Sequence, residues 1–238
     1  MASFTMLDVS VHIAGHDFST DSTELTVSTE VDDQETTTFQ SGGWRSRIGG
    51  IRDLTANVSG IWQSGVGLVD PEAFTNLGVT TLPVTFSPTN ATGDTAYFAQ
   101  MGEFTYEIFG SVGEVAPFSI DMSGTQGADG LLRGLHTFPR GSVSATGVLG
   151  TEATMGAPLV ATYLVVHTYS AGTTITLQVQ SDDNGAFSSA TTQGSTTITT
   201  AGGTWLKIPG AFPGETHWRV NVSAVTGTFN LSCGLAVV

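Results

Sequence analysis

Two histidines four positions apart, His12 and His16 in "VHIAGHDF", are the first residues whose types could hold a metal ion. On a helix that spacing brings both rings to one ion. Here the surrounding residues alternate as a strand does, and at ~3.3 Å of rise per residue two same-face positions four apart cannot share one. "SDDNG" (181–185) has the letters of a calcium loop but neither the alternating ligand spacing nor the distal glutamate, and reads as a hairpin turn. Ser/Thr clusters such as "FSSATT" lack the strand–turn–helix setting of a nucleophile elbow, and no phosphate-cradling GxxxxGK is present. Four Asn-x-Ser/Thr triplets, at Asn57, Asn90, Asn221 and Asn230, would matter only in a secreted chain. The expectation is a protein with no catalytic residues, no metal and no cofactor.

Charge is more informative. The chain carries a formal net charge of −14, and three of its seven basic residues fall within eight positions of "ETTTFQSGGWRSRIGGIRDLTANVSGIWQSG" (35–65). Residues 1–129 hold 17 acids against Arg45, Arg47 and Arg52 alone. Residues 130–238 balance Glu152, Asp182, Asp183 and Glu215 against Arg133, Arg140, Lys207 and Arg219. One part of the chain therefore carries the whole field, which suggests two modules. Such acidity excludes ordinary nucleic-acid binding, where cations face phosphates.

The elements that must place these groups read as strands. Charged residues make up only 12%, glycines number 30, and Thr, Ser and Val are dense, which favours strands and turns over helices. "ELTVSTEV" sets Leu25, Val27 and Val31 against Glu24, Thr26, Ser28 and Glu30. "LTANVSGIWQ" aligns Leu54, Ala56, Val58 and Trp62, and "EFTYEIF" alternates Phe104, Tyr106 and Ile108 against Glu103, Thr105 and Glu107. One short helix is marked in "VDPEAFTNLG", with Asp70 suited to the N-cap, Pro71 to the first turn and Gly78 to the end. The Gly-rich stretch 124–147 reads as a linker or domain edge.

Beyond it, "LVATYLVVHTYS" is apolar on both faces, as a central strand would be. "TTITLQVQSDDNG" aligns Ile175, Leu177 and Val179. "HWRVNVSAV" aligns Trp218, Val220, Val222 and Ala224, and "FNLSCGLAVV" aligns Phe229, Leu231, Cys233, Leu235 and Val237. About seven short strands in roughly 95 residues suit a β-sandwich. The fold expected is mainly β: an antiparallel β-sandwich or barrel with one short helix over residues 1–140, then a second β-sandwich over 141–238. The lone Cys233 predicts no intramolecular disulfide and a reducing place of synthesis. No run of ~18 apolar residues predicts a membrane span, and the N-terminal residues lack a secretory pattern.

The order of features over about residues 4–125 resembles the major tail (tail tube) protein of tailed bacteriophages. The residues that carry the likeness are "TTTFQSGGWRSRIGGIRDLTANVSGIWQSG", then the helix "DPEAFTNLG", "VTFSP", and "GDTAYFAQMGEFTYEIFGSVGEVAPFSIDMSG". The second module is similar to β-sandwich add-ons of phage virion proteins. The resemblance implies a structural protein of the virion tail, assembled in the host bacterial cytoplasm. Its rings, homohexameric or else trimeric with pseudo-sixfold symmetry, stack into a tube that contacts other tail proteins. DNA leaves through that tube without specific binding. It also implies that the loop 35–52 reaches a neighbouring subunit or ring, with Phe39 and Trp44 as anchors and Arg45, Arg47 and Arg52 pairing with acids there. Glu24, Glu30, Asp32, Glu103 and Glu107 then become candidates to line the channel, and the second module is expected on the outside of the tube.

Two other classes compete. A glycan-binding or adhesive module would use Trp205, Trp218, Tyr163 or Tyr169 to stack on sugars. A hydrolase would need clustered carboxylates in a pocket, whereas the acids here are spread along strands.

Overall fold

The computed structural model describes residues 8–38, 42, 44–125 and 129–238. The chain is mainly β, and every strand pairing is antiparallel. In order the elements are β1 (Ser10–Ile13), β2 (His16–Asp17), β3 (Ser22–Glu35), β4 (Arg47–Ile61), α1 (Val69–Asn76), β5 (Leu82–Ser87), β6 (Thr95–Ile108), β7 (Pro117–Gly124) and β8 (Leu132–Val143). They continue as β9 (Gly147–Thr154), β10 (Ala161–Ser170), β11 (Thr174–Asp182), β12 (Thr191–Ile198), β13 (Gly202–Pro209), β14 (His217–Thr226) and β15 (Phe229–Val237).

Two apolar cores result. In the first, the wing β3-β4-β7 and the second half of β6 close over β1, β5 and the first half of β6. Leu54, Ala56, Val58, Phe118, Ile120 and Met122 meet Val11, Ile13, Val84, Phe86 and Met101 there. In the second, the four-stranded sheet β12-β11-β14-β9 covers β13-β10-β15-β8, burying Trp218, Leu177, Val220, Leu231 and Leu235. The two are joined by hydrogen bonds. β8 pairs with β6 through residues 132–135 and with β15 through residues 134–143, so one sheet of 11 strands runs through both.

This corrects the linker expected over 124–147, most of which is strand. Residue 140, where the first module was expected to end, lies inside β8. One of the glycines that suggested a linker, Gly134, serves close approach instead. A Cβ on Gly134 would lie 2.1 Å from the Leu235 carbonyl oxygen, so only glycine lets β8 run this close to β15.

The helix forms over Val69–Asn76, but its N-cap is Leu68 and no side chain caps it. Asp70 sits one residue inside the helix, and its carboxylate accepts hydrogen bonds from Trp62 Nε1 (3.1 Å) and Tyr106 Oη (3.0 Å) instead. His12 and His16 do not share one strand. Ala14 and Gly15, both at positive φ (50° and 88°), turn the chain between them, so His12 pairs with Asp17 and Ile13 with His16.

Candidate assembly arm and acidic face

β4 pairs with β7 only from Thr55 to Ile61, while β3 and β4 stay paired out to Glu35 and Arg47. Beyond Thr55 the hairpin is therefore a two-stranded arm, with no third strand among the described residues. Every described residue from Thr29 to Asp53 is exposed. Its apolar side chains face water on both sides: Val31 is 53% exposed, Ile48 58%, Ile51 78% and Trp44 83%. An isolated two-stranded ribbon is marginal in water, and exposed β-branched and aromatic residues on it lack the cover that stabilises strands.

Local polar contacts shape the tip. Thr36 N donates to the Ser46 carbonyl at 2.8 Å, and Ser46 N donates to Thr37 Oγ1 at 3.1 Å. Arg47 pairs diagonally with Asp33 on the facing strand, and Arg45 lies 3.9 Å from Glu35. Arg52 makes no ion pair among the described residues. Phe39, expected as an anchor, lies outside the described residues.

The acids fall into two groups. On the wing, the face opposite the core carries Glu24, Thr26, Ser28 and Glu30 from β3, and Asp53, Thr55, Asn57 and Ser59 from β4. Ser119, Asp121 and Ser123 from β7 and Thr105 and Glu107 from β6 complete it. Four strands at ~4.8 Å spacing make this face roughly 14 Å wide. Asn57 Nδ2 crosslinks it, donating to Ser119 Oγ at 2.9 Å and Asp121 Oδ1 at 2.7 Å. All five acids, Glu24, Glu30, Asp53, Glu107 and Asp121, are exposed, and no Lys or Arg alternates onto the same face. The sequence reading missed Asp53 and Asp121. The alternation of "LTANV" and "FSIDM" could have placed both opposite the buried Leu54 and Ile120. Asp32 is exposed beside the register shift between Val31 and Asp33, off the regular pairing of this face.

Glu103 belongs elsewhere, which corrects its expected place among the channel-lining acids. A bulge between Glu103 and Thr105 turns it inward, opposite buried Met122, and turns Phe104 out to 52% exposure. Glu103 is fully buried and neither carboxyl oxygen has a hydrogen-bond partner. Burial pushes its pKa up to about 8, so at neutral pH it is largely an uncharged acid.

Of the aromatics considered for sugar stacking, Trp218 and Tyr163 are buried and Trp205 and Tyr169 are half-buried. Among the described residues the exposed aromatic side chains (Trp44, Phe74, Phe104 and Phe109) all lie before residue 124. Among the described residues no group of three or more His, Cys, Asp or Glu side chains is placed to hold a metal ion. Nor is any helix among the described residues long and apolar enough to cross a membrane.

No family model matches the sequence, and no curated protein matches it. Among solved structures, the chain is similar to one from the virion of a native gene transfer agent particle, at 14% identity and TM-score 0.42, over 52% of this chain and 95% of that one. A chain from the tail of an empty gene transfer agent particle with C6 symmetry matches at 16% identity and TM-score 0.38, over 46% and 81%. The Dit protein of phage SPP1, described as a hub of the adsorption apparatus in phages infecting Gram-positive bacteria, matches at 10% identity and TM-score 0.35, over 96% and 99%.

Proposed function

We propose that this chain is a non-catalytic structural protein of a phage-type virion tail, which assembles into rings that stack as a tube around a negatively lined channel. The observation that carries the reading is the pairing of two surfaces on one hairpin: an arm exposed on both faces at its far end, and a cation-free acidic face at its root. An arm of this kind gains its missing cover from a neighbouring copy, with Trp44, Ile48 and Ile51 as apolar contacts and Arg45, Arg47 and Arg52 meeting acids. A lumen lined by Glu24, Glu30, Asp53, Glu107 and Asp121 repels a duplex that carries one charge per ~1.7 Å of axis, so DNA slides without sticking. The near-neutral second sandwich then sits away from the DNA path. Hexameric rings are the simplest closure, and the sheet shared by both sandwiches keeps a trimer with pseudo-sixfold symmetry as the variant to separate from it.

Electron microscopy of the purified protein tests the reading. Hollow tubes are expected, with their symmetry separating hexamer from trimer. Single rings that never stack would indicate one terminal position instead of a repeating one. Arg52→Glu is expected to raise the concentration needed for stacking at least tenfold without changing the monomer fold. Unchanged assembly in that variant would remove the arm from the proposal.

A further inference from the structure

The strand β10 is apolar on both faces, but its two faces meet different things. Leu164 and Val166 enter the second core, whereas Ala161, Tyr163 and Val165 pack with Ala96, Phe98, Leu132 and Ala236. The 11-stranded sheet curls so far that β2 and β5 come back against β10, and β5 against β13. A Cβ on Gly15 would lie 2.4 Å from the Gly202 backbone, which measures how close the curl brings them. Along this seam the apolar contacts give way to a buried polar cluster.

That cluster is built of three imidazoles from three strands. His12 of β1, His136 of β8 and His167 of β10 are each 1% exposed. The His12 ring centroid lies 5.8 Å from that of His136 and 5.5 Å from that of His167. His167 is held from both ends, with Nε2 2.8 Å from Thr85 Oγ1 and Nδ1 accepting from Gly15 N at 3.2 Å. Tyr169 Oη bridges His12 Nδ1 (3.0 Å) and Ser232 Oγ (2.7 Å). His12 Nε2 and His136 Nδ1 are buried with no partner.

The charged and titratable groups around the cluster do not balance added positive charge on His136 and His167. Asp17 of β2 lies 3.4 Å from His12 Nδ1, yet it is already paired with Arg140 of β8 at 3.1 Å, and Arg140 itself stacks on the Tyr169 ring at 4.5 Å. Burial works against the Asp17 charge, but hydrogen bonds from His12 and Ser19 and the attraction of His12 outweigh it and hold its pKa below the usual range. Burial raises the pKa of Tyr169, and Cys233 of β15 lies buried beside Thr137 with its thiol pushed up to about 12. Neither offsets a positive charge. Protons have a way in: a cleft of about 560 Å³, lined by His16, Asp17, Asp21, Glu72, Arg140 and Tyr169, opens at the edge of the cluster.

We propose that the His12–His136–His167 cluster is an acid-operated seam. With His136 and His167 neutral, it packs β1 and β5 against β8 and β10. Protonated, those two imidazoles place buried positive charge 5.8 and 5.5 Å from the His12 ring, beside one already committed carboxylate, and the two sandwiches part along it. Burial, then the His12 charge, lowers the His136 pKa to about 4 and that of His167 well below its ordinary value. A histidine whose folded pKa is depressed takes its proton more readily once the seam opens. Its cost to the closed state is absent above about pH 6.5 and grows as pH falls toward the folded value. Each such group favours the open state about tenfold per pH unit in that window, and two together about a hundredfold. Asp17 adds nothing in that window because its titration lies lower, and Glu103 acts in the opposite direction.

Hydrogen–deuterium exchange by mass spectrometry tests this on the whole protein from pH 7.5 to 4, reading backbone amides and the slow exchange of each imidazole C2 hydrogen. His136 and His167 are expected to stay neutral below pH 5.5. Protection of Ser10–Ile13, Leu82–Ser87 and Ala161–Ser170 is then expected to fall as they protonate, while Thr174–Asp182 stays protected. His136→Gln with His167→Gln is expected to move that transition at least one pH unit lower. Titration of either histidine near 6.5 with the seam still protected, a seam closed at pH 4, or the same transition in the double variant would overturn the proposal. If the double variant does not fold, the first two readings on the natural chain decide the matter.

Discussion

The pairs β3–β4 and β11–β14 are both long antiparallel ribbons rich in β-branched residues, and they end in opposite circumstances. In β11–β14, Ile175, Leu177 and Val179 lie with Trp218, Val220 and Val222 under a second sheet, each at most 2% exposed. In the outer part of β3–β4, Val31, Ile48 and Ile51 are more than half exposed and have no sheet above or below them. Apolar alternation specifies a strand, but it does not specify whether the cover comes from the same chain. In one ribbon the fold supplies it, and in the other the described residues of the chain supply none.

That contrast can be broken most sharply by cutting the arm away. Replacing residues 31–52 with an Asn-Gly turn between the paired Glu30 and Asp53 is expected to abolish tube formation in electron micrographs. The melting temperature should move by less than about 2 °C, because exposed sites away from a core seldom change stability by more than ~0.5 kcal/mol. A large loss of melting temperature would mean that the arm serves its own chain. Next in size, Trp218→Ala is expected to cost about 3–5 kcal/mol in chemical denaturation, since it empties a fully buried indole site. Trp44→Ala should leave the same midpoint unchanged while weakening assembly.

A pH-dependent effect comes from Glu103→Gln, read as the difference in melting temperature between variant and natural chain. Because the folded pKa of Glu103 is raised, its protonation favours the fold fully below about pH 4.5, and that stability is lost as pH rises toward 8. The difference should therefore grow in favour of the glutamine variant from pH 5 to pH 8. The slope is at most about 1.4 kcal/mol per pH unit. A difference independent of pH would show that Glu103 ionises normally.

Alternation was legible on strands where the extra residue of a bulge falls on the partner strand. Ile175, Leu177 and Val179, and Phe229, Leu231, Cys233 and Leu235, are buried as their alternation requires. An extra residue on the strand itself defeated the same rule. The bulge after Glu103 exchanged the faces of Glu103 and Phe104. The register shift between Thr176 and Leu177 left Ala224 exposed and packed Val225 against the core in its place. Asp70 lost its capping role to two donors, Trp62 and Tyr106, that are distant or ambiguous in sequence. Of the candidate site, the arm's arginines and four of the five acids named for the channel are exposed on or beside the wing. The histidine seam had no local signal at all, because residues 12, 136 and 167 meet only through the curl of the sheet.

Cys233 gives this molecule a chemical clock. Its side chain is 1% exposed in β15, between β10 and β8, and burial keeps the thiol protonated at any ordinary pH. A thiol reagent can react only after β15 is released, so the labelling rate counts openings of the second sandwich. Timing that reaction in dilute subunits, and again in any assembly that the protein forms on concentration, would show how far neighbours slow the opening, with no mutation.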